Sequence, residues 1–308
     1  MTHFEKCETM RDTLYIIGNG FDLHHRIPSS YRAFGEYLET HDSNTYEFVD
    51  RYFYVDDEFW SEFEERLASF DIDTLIQDAS DVLKSYLTEK WSDAYHHDYQ
   101  FEIKRAVKAI SVTLRSRFAE WVRQLPIPVP SEIVDVQVTM DPSAVFLNFN
   151  YTPSLQRLYD VPDAHILHIH GAAANPDDQL VLGHGWEQEA NLNPARFVGD
   201  PEQADAREME GQGIIDRYFR ETFKPTAEII RDNAEFFTGL SQVARVFVMG
   251  HSVSHVDHRY FHEVLHNIDA ERVQWKISYF GDSASLRERV EQLGIAPHLV
   301  KYARLAEF

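Results

Sequence analysis

Residues 13–22, TLYIIGNGFD, constrain the fold more than any other stretch of the chain. A short apolar run, Leu14 to Ile17, breaks into Gly18-Asn19-Gly20. A strand buried on both faces hands over in this way to a tight turn whose backbone can approach a phosphate. Three later segments repeat the form of a strand ending in polar residues: FLNFNYT at 146–152, ILHIHG at 166–171 and VFVMGHS at 246–252. Ligands of open α/β sheets bind outside the carboxyl ends of strands. One nucleotide-like site assembled from these tips is the simplest account.

Strands are expected at 13–17, 144–149, 165–170, 179–183, 244–250 and 273–280, with a weaker one at 298–304. Most are continuous apolar runs, which suits a parallel sheet covered on both faces. The expected fold is α/β: a doubly wound parallel sheet in one domain over 1–308, with a helical insert at 29–130 after the first strand. Ser29 and Ser30 are candidate N-caps for YRAFGEYLET. Phe59, Phe63 and Leu67 share one helical face with Trp60 beside them, and helical patterns continue through 74–93 and 100–124. The prolines of PIPVP at 126–130 end that block. A second insert spans 187–240 and turns helical near 214–237.

Composition narrows the partners. With 44% hydrophobic and 13% aromatic residues the chain can bury a substantial core. Its net charge of −22 repels a phosphate backbone, so nucleic acid is disfavoured as a partner. Lys104, Arg105, Lys108, Arg115 and Arg117 read as a solvated helix face. Cys7 is the only cysteine, which excludes an intrachain disulfide and a four-cysteine zinc site. No apolar stretch is long enough to span a bilayer, and the first residues lack a signal-peptide core. A cytoplasmic protein with no membrane partner is expected.

Each tip carries candidate residues and a plainer alternative. Gly18 and Gly20 lack a Cβ and can turn backbone N–H groups toward an anion; Asp22 can take sugar hydroxyls, or simply cap a helix. The third glycine of GxGxxG is missing, because position 23 is Leu. Asn150 can hold a water or a ribose hydroxyl, or bond its own turn. His170, with Gly171 turning the chain beside it, can act as a general base near neutral pH, or be a satisfied core histidine. His184 in the GHG at 183–185 repeats that logic. Gly250 and Ser252 can touch a pyrophosphate or ribose, while Ser254 with Asp257 has the form of a capping box. His255, Asp257 and His258 match part of the HxHxDH pattern of binuclear metallohydrolases, although residue 253 is Val and His251 is out of register. No metal ligand set is assigned.

Taken in order, these motifs resemble the AbiH family of bacterial phage-defence proteins, which is similar to the sirtuin-like NAD-binding superfamily. GNGFDLHH with IP and SYRAF at 18–34, WSEFEERL at 60–67, NFNYT at 148–152, HIHG at 168–171, LGHG at 182–185 and GHSVSHVD at 250–257 carry the resemblance. It implies a sirtuin-like sheet in which Gly18 and Gly20, with Asn19 in the same turn, cradle the NAD pyrophosphate. Asn150 and His170 would form the reaction centre, beside Gly171. Gly250 and Ser252 would support the adenosine half. Thr152 stands where many relatives carry Asp, and one cysteine cannot supply the zinc ribbon of a sirtuin deacylase. The implied activity is cleavage of the nicotinamide–ribose bond by an abortive-infection effector, with NAD as substrate or ligand and no further cofactor required. A phage-derived trigger and a homo-oligomer are the implied partners. A non-catalytic module sensing NAD or an ADP-ribose-type ligand, and a metal-dependent hydrolase built on the histidines, are the alternatives.

Overall fold

Six strands form one sheet. The computed structural model describes residues 12–80, 98–173, 180–185 and 206–308. The strands are β1 (Thr13–Ile17), β2 (Val145–Asn148), β3 (Ile166–His168), β4 (Arg245–Met249), β5 (Gln274–Tyr279) and β6 (Val300–Arg304). They lie in the order β3-β2-β1-β4-β5-β6, and every neighbouring pair is parallel. This is the doubly wound order, in which the chain starts at the centre and reverses direction between β1 and β4.

The continuous apolar strands follow from burial on both faces. Leu14 and Ile16 of β1 join Val246, Val248, Trp275 and Ile277 on one face, under Phe237, Tyr260, Phe261, Val264 and Val290. Tyr15 and Ile17 point the other way and join Phe146, Met249, Phe21, Leu155 and Leu305. Tyr15 stacks between Phe146 and Phe247, with ring centroids 5.0 and 5.1 Å away.

One expected strand is absent. Residue 179 lies outside the described residues, and 180–183 form no strand. His184 forms an isolated parallel bridge with Phe223. Its N–H donates to Thr222 O, and Lys224 N–H donates back to His184 O. Leu180 and Leu182 are buried without a ladder, because a short apolar run reports burial, not strand geometry.

By contacts the chain divides into two compact units: Met1–Ser30, Val122–Leu180 and Pro225–Phe308 in one, which holds the sheet, and Tyr31–Trp121 with Val181–Lys224 in the other. The second unit is helical. Its helices include Tyr31–His41, Ser43–Phe53, Ile72–Ser80, Asp98–Lys108 and Ala206–Thr222. The helical pattern expected beyond Ser80, to 93, lies outside the described residues, as does Cys7. Phe34, Phe59, Trp60, Phe63, Phe118 and Trp121 form an aromatic core there. Two of the basic residues form ion pairs: Arg105 with Glu102, and Arg117 with Asp42 and Glu120. Arg115 donates to Glu221 O. Among the described residues no helix is long and apolar enough to cross a membrane.

Gly35 shows how tight that core is. A Cβ there would sit 2.5 Å from the Trp60 indole. Ala in place of Gly inside a helix ordinarily gains up to about 1 kcal/mol. Here overpacking of a buried ring costs about 1–3 kcal/mol. Gly35→Ala is therefore expected to lower stability, seen as an earlier urea midpoint at unchanged slope; a raised midpoint would show that Trp60 yields freely.

Candidate functional site

The parallel register lines up the polar tips. His168, Asn148, Ile17 and Met249 form one cross-sheet row. Two residues further along each strand stand His170, Asn150, Asn19 and His251, at the carboxyl edge of β3, β2, β1 and β4. The switch point between β1 and β4 lies within this row.

The glycine turns interlock. Gly18 N–H donates to Met249 O at 3.0 Å, and Gly20 N–H donates to Gly250 O at 2.7 Å. A Cβ on Gly18 would lie 2.6 Å from His251 Cα, and one on Gly20 would lie 2.8 Å from Gly250 O. Gly250 has φ +68°, and its own Cβ would fall 2.0 Å from Phe21 N. The N–H groups read from the sequence as facing an anion are thus spent on the β4 loop. The glycines are there because two backbones meet. Gly250 N–H donates to Ser278 Oγ at 2.7 Å, which ties the loop to β5. Asn19 and Ser29 bond each other: the Ser29 hydroxyl donates to Asn19 Oδ1 at 2.5 Å, and Asn19 Nδ2 donates to Ser29 O at 3.0 Å. Asn19, Gly20, Gly171 and Gly250 are half-buried and Ser252 is exposed, so this edge meets solvent.

Asp22 lies inside. Thr152 Oγ1 donates to one carboxylate oxygen at 2.5 Å and Ser154 Oγ to the other at 2.6 Å. Burial lifts its pKa from 3.8 to about 6, against the pull of bonds from Ser154, Thr152 and Asn150. This is the environment of an internal anchor joining the first turn to the β2 tip. Asn150 belongs to the same anchor: its Nδ2 donates to Gly18 O at 3.1 Å, and its N–H donates to Asn148 Oδ1 at 3.0 Å. Thr152 and Ser154 were not singled out from sequence as partners of Asp22, which lies 130 and 132 residues away.

His170 sits beyond β3 where Gly171, at φ +86°, reverses the chain. It is 3% exposed. Its Nε2 is 3.8 Å from Asp257 Oδ1, and the other oxygen of that carboxylate is 3.5 Å from His251 Nε2. Phe149 packs edge-on against both imidazoles, with centroids 5.3 and 4.3 Å away. Sequence reasoning gave Asp257 to a capping box, yet the 3-10 turn His255–Asp257 and the helix His258–Asn267 have no side-chain cap bond. The carboxylate faces the two histidines instead. His168 is a prop beneath the β2 tip, with Nδ1 3.1 Å from Asn150 O and Nε2 3.1 Å from Gln156 Nε2.

The remaining candidates belong to other elements. His184 lies in the helical unit. His255, His258 and His262 are ring neighbours along one helix face. Burial, with His255 adding to it, pushes the His258 pKa down, and its Nε2 is bonded to Val253 O at 3.2 Å. Among the described residues no group of three or more His, Cys, Asp or Glu is placed to hold a metal ion. The metallohydrolase reading finds no donor set among the described residues.

No curated protein matches the chain. The family described as "Bacteriophage abortive infection AbiH" matches it over residues 14–279, from the second residue of β1 to the last of β5. The chain belongs to this AbiH family, and phage abortive infection is the broad function that membership supports.

Proposed function

We propose that the protein is a sirtuin-like, cytoplasmic abortive-infection effector that hydrolyses NAD at the nicotinamide–ribose bond. One observation carries the reading: a buried His170 with a carboxylate beside it stands at the carboxyl edge of a doubly wound sheet, with only β2 between its strand and the switch-point turns. Ligands of such sheets bind at that edge.

The chemistry needs few groups. The C1′–N bond breaks, its electron pair leaves with neutral nicotinamide, and water adds to C1′. His170 takes up the proton that water loses, while Asp257 stabilises the resulting imidazolium. Oxocarbenium character at C1′ is stabilised by placed dipoles. Asn150, Thr152 and Ser154 hold Asp22 and so keep the first turn and the β2 tip in register. Gly18, Asn19, Gly20, Gly171, Gly250 and Ser252 form the rim that the nucleotide would lie against. NAD is then substrate, and no redox cycle is involved.

The test is incubation of the purified chain with NAD, with and without lysate of phage-infected cells, and mass spectrometry of the products. Nicotinamide and ADP-ribose are expected. His170→Ala is expected to reduce turnover at least about 100-fold, the usual contribution of a positioned general base. Intact NAD under every condition would reject the reading, and tight binding without cleavage would favour a sensor.

A further inference from the structure

The side chain of His251 has no part in the reaction described above, yet the β4 loop orients it closely. It is 6% exposed, with its ring against Phe149 and Phe261. Val253 N–H donates to His251 Nδ1 at 2.9 Å. An imidazole nitrogen that accepts a hydrogen bond carries no proton, so in the neutral ring the proton sits on Nε2. That nitrogen is the one 3.5 Å from Asp257.

The donor to Nδ1 sits in an unusual backbone. Val253 is fully buried and has φ +52°, the left-handed region that a β-branched residue rarely enters. Such a conformation costs about 1–3 kcal/mol and persists only where surrounding structure demands it. The residue held in this conformation is the one whose N–H donates to the His251 ring. Asp257 is 8% exposed and lies between two buried imidazoles, with one oxygen toward each.

We infer that His251 is a positioning residue for His170: its Nε2–H holds Asp257, and Asp257 in turn orients the His170 ring. The inference rests on the reading of His170 as the proton acceptor in NAD hydrolysis. The 3.5 and 3.8 Å separations are longer than direct hydrogen bonds, and catalytic contacts in free enzymes commonly tighten only with substrate bound. A polar ring that merely filled the core would need neither a fixed tautomer nor the shared carboxylate.

Two readouts separate this inference from the reading it rests on. Long-range proton–nitrogen NMR of the free protein reports ring tautomers without NAD. His251 is expected in the Nε2–H form. His251→Asn keeps an acceptor near Val253 N–H but cannot reach Asp257, and it is expected to shift the ring nitrogen signals of His170; Asp257→Asn is expected to shift them as well. In the NAD assay His251→Asn should lower kcat about tenfold or more with KM within about twofold, a transition-state effect. His251→Gln, whose amide can donate to Asp257, should recover part of the loss. Unmoved His170 signals in both folded variants, or an Nδ1–H tautomer for His251, would overturn the inference. NMR shifts as expected, with no NAD turnover by the wild type, would instead reject NAD as substrate.

Discussion

Gly250→Ala is expected to destabilise the protein by about 4 kcal/mol, the largest single-site effect foreseen for this chain. Two costs add. Ala at φ +68° pays roughly 1 kcal/mol for left-handed backbone. Its Cβ would then lie 2.0 Å from Phe21 N and 2.4 Å from Gly20 C, both backbone atoms with no rotamer to change. Relief requires moving the β4 loop off the β1 turn, which breaks the 2.7 Å bond from Gly20 N–H to Gly250 O. Gly213→Ala is the matched control. It lies in the helix Ala206–Thr222 with nothing within 4 Å of its Cβ position, and should gain up to about 1 kcal/mol. Urea unfolding of the two variants beside wild type measures the contrast. Similar midpoints for both would mean that the loops are not in contact in solution.

Asp22 and His25 are expected to cancel in the wild type and to oppose each other once separated. Burial raises the Asp22 pKa from 3.8 to about 6. The folded state therefore holds a proton that the unfolded chain has released, and stability falls as pH rises from about 4 to 6. His25 behaves in the reverse sense. Its Nδ1 lies 2.7 Å from Phe21 O, its Nε2 lies 2.5 Å from Tyr159 Oη, and burial lowers its pKa from 6.5 to about 4. Its contribution is present above pH 6.5 and is lost as pH falls toward 4. Each swing is about 3 kcal/mol. Relative to wild type, Asp22→Asn should gain stability as pH rises across this window, and His25→Gln should lose it. Chemical denaturation at pH 4, 5, 6 and 7 reads both slopes. Parallel profiles for all three proteins would show that neither side chain is desolvated as described.

Much of the sheet was legible because its signals are local. The run Leu14 to Ile17, the glycines after it, and the apolar runs before Asn150, His170 and Gly250 each state a strand and its end within a few residues. The run at 180–183 misled for the same reason. Leu180 and Leu182 are buried as an apolar run requires, but no strand pairs beside them. At the site, His170 and Gly171 were legible as an imidazole at a reversing tip, whereas the partners of Asp22 and the true neighbour of Asp257 were not. Thr152 and Ser154 lie 130 and 132 residues from Asp22 in sequence, and nothing near either hydroxyl marks a distant carboxylate as its acceptor.

The sequence alone determined the six paired strands, their polar ends and the family, though it also named a seventh strand that does not form, since apolar periodicity, glycine and motif order act over short spans. Tertiary structure alone decided that Gly18, Gly20 and Gly250 serve one another's backbones, that Asp22 is enclosed by hydroxyls, and that Asp257 stands between His170 and His251. Those outcomes depend on which strand lies beside which and on how much water each group loses. Both are properties of the assembled sheet, and no single segment encodes them.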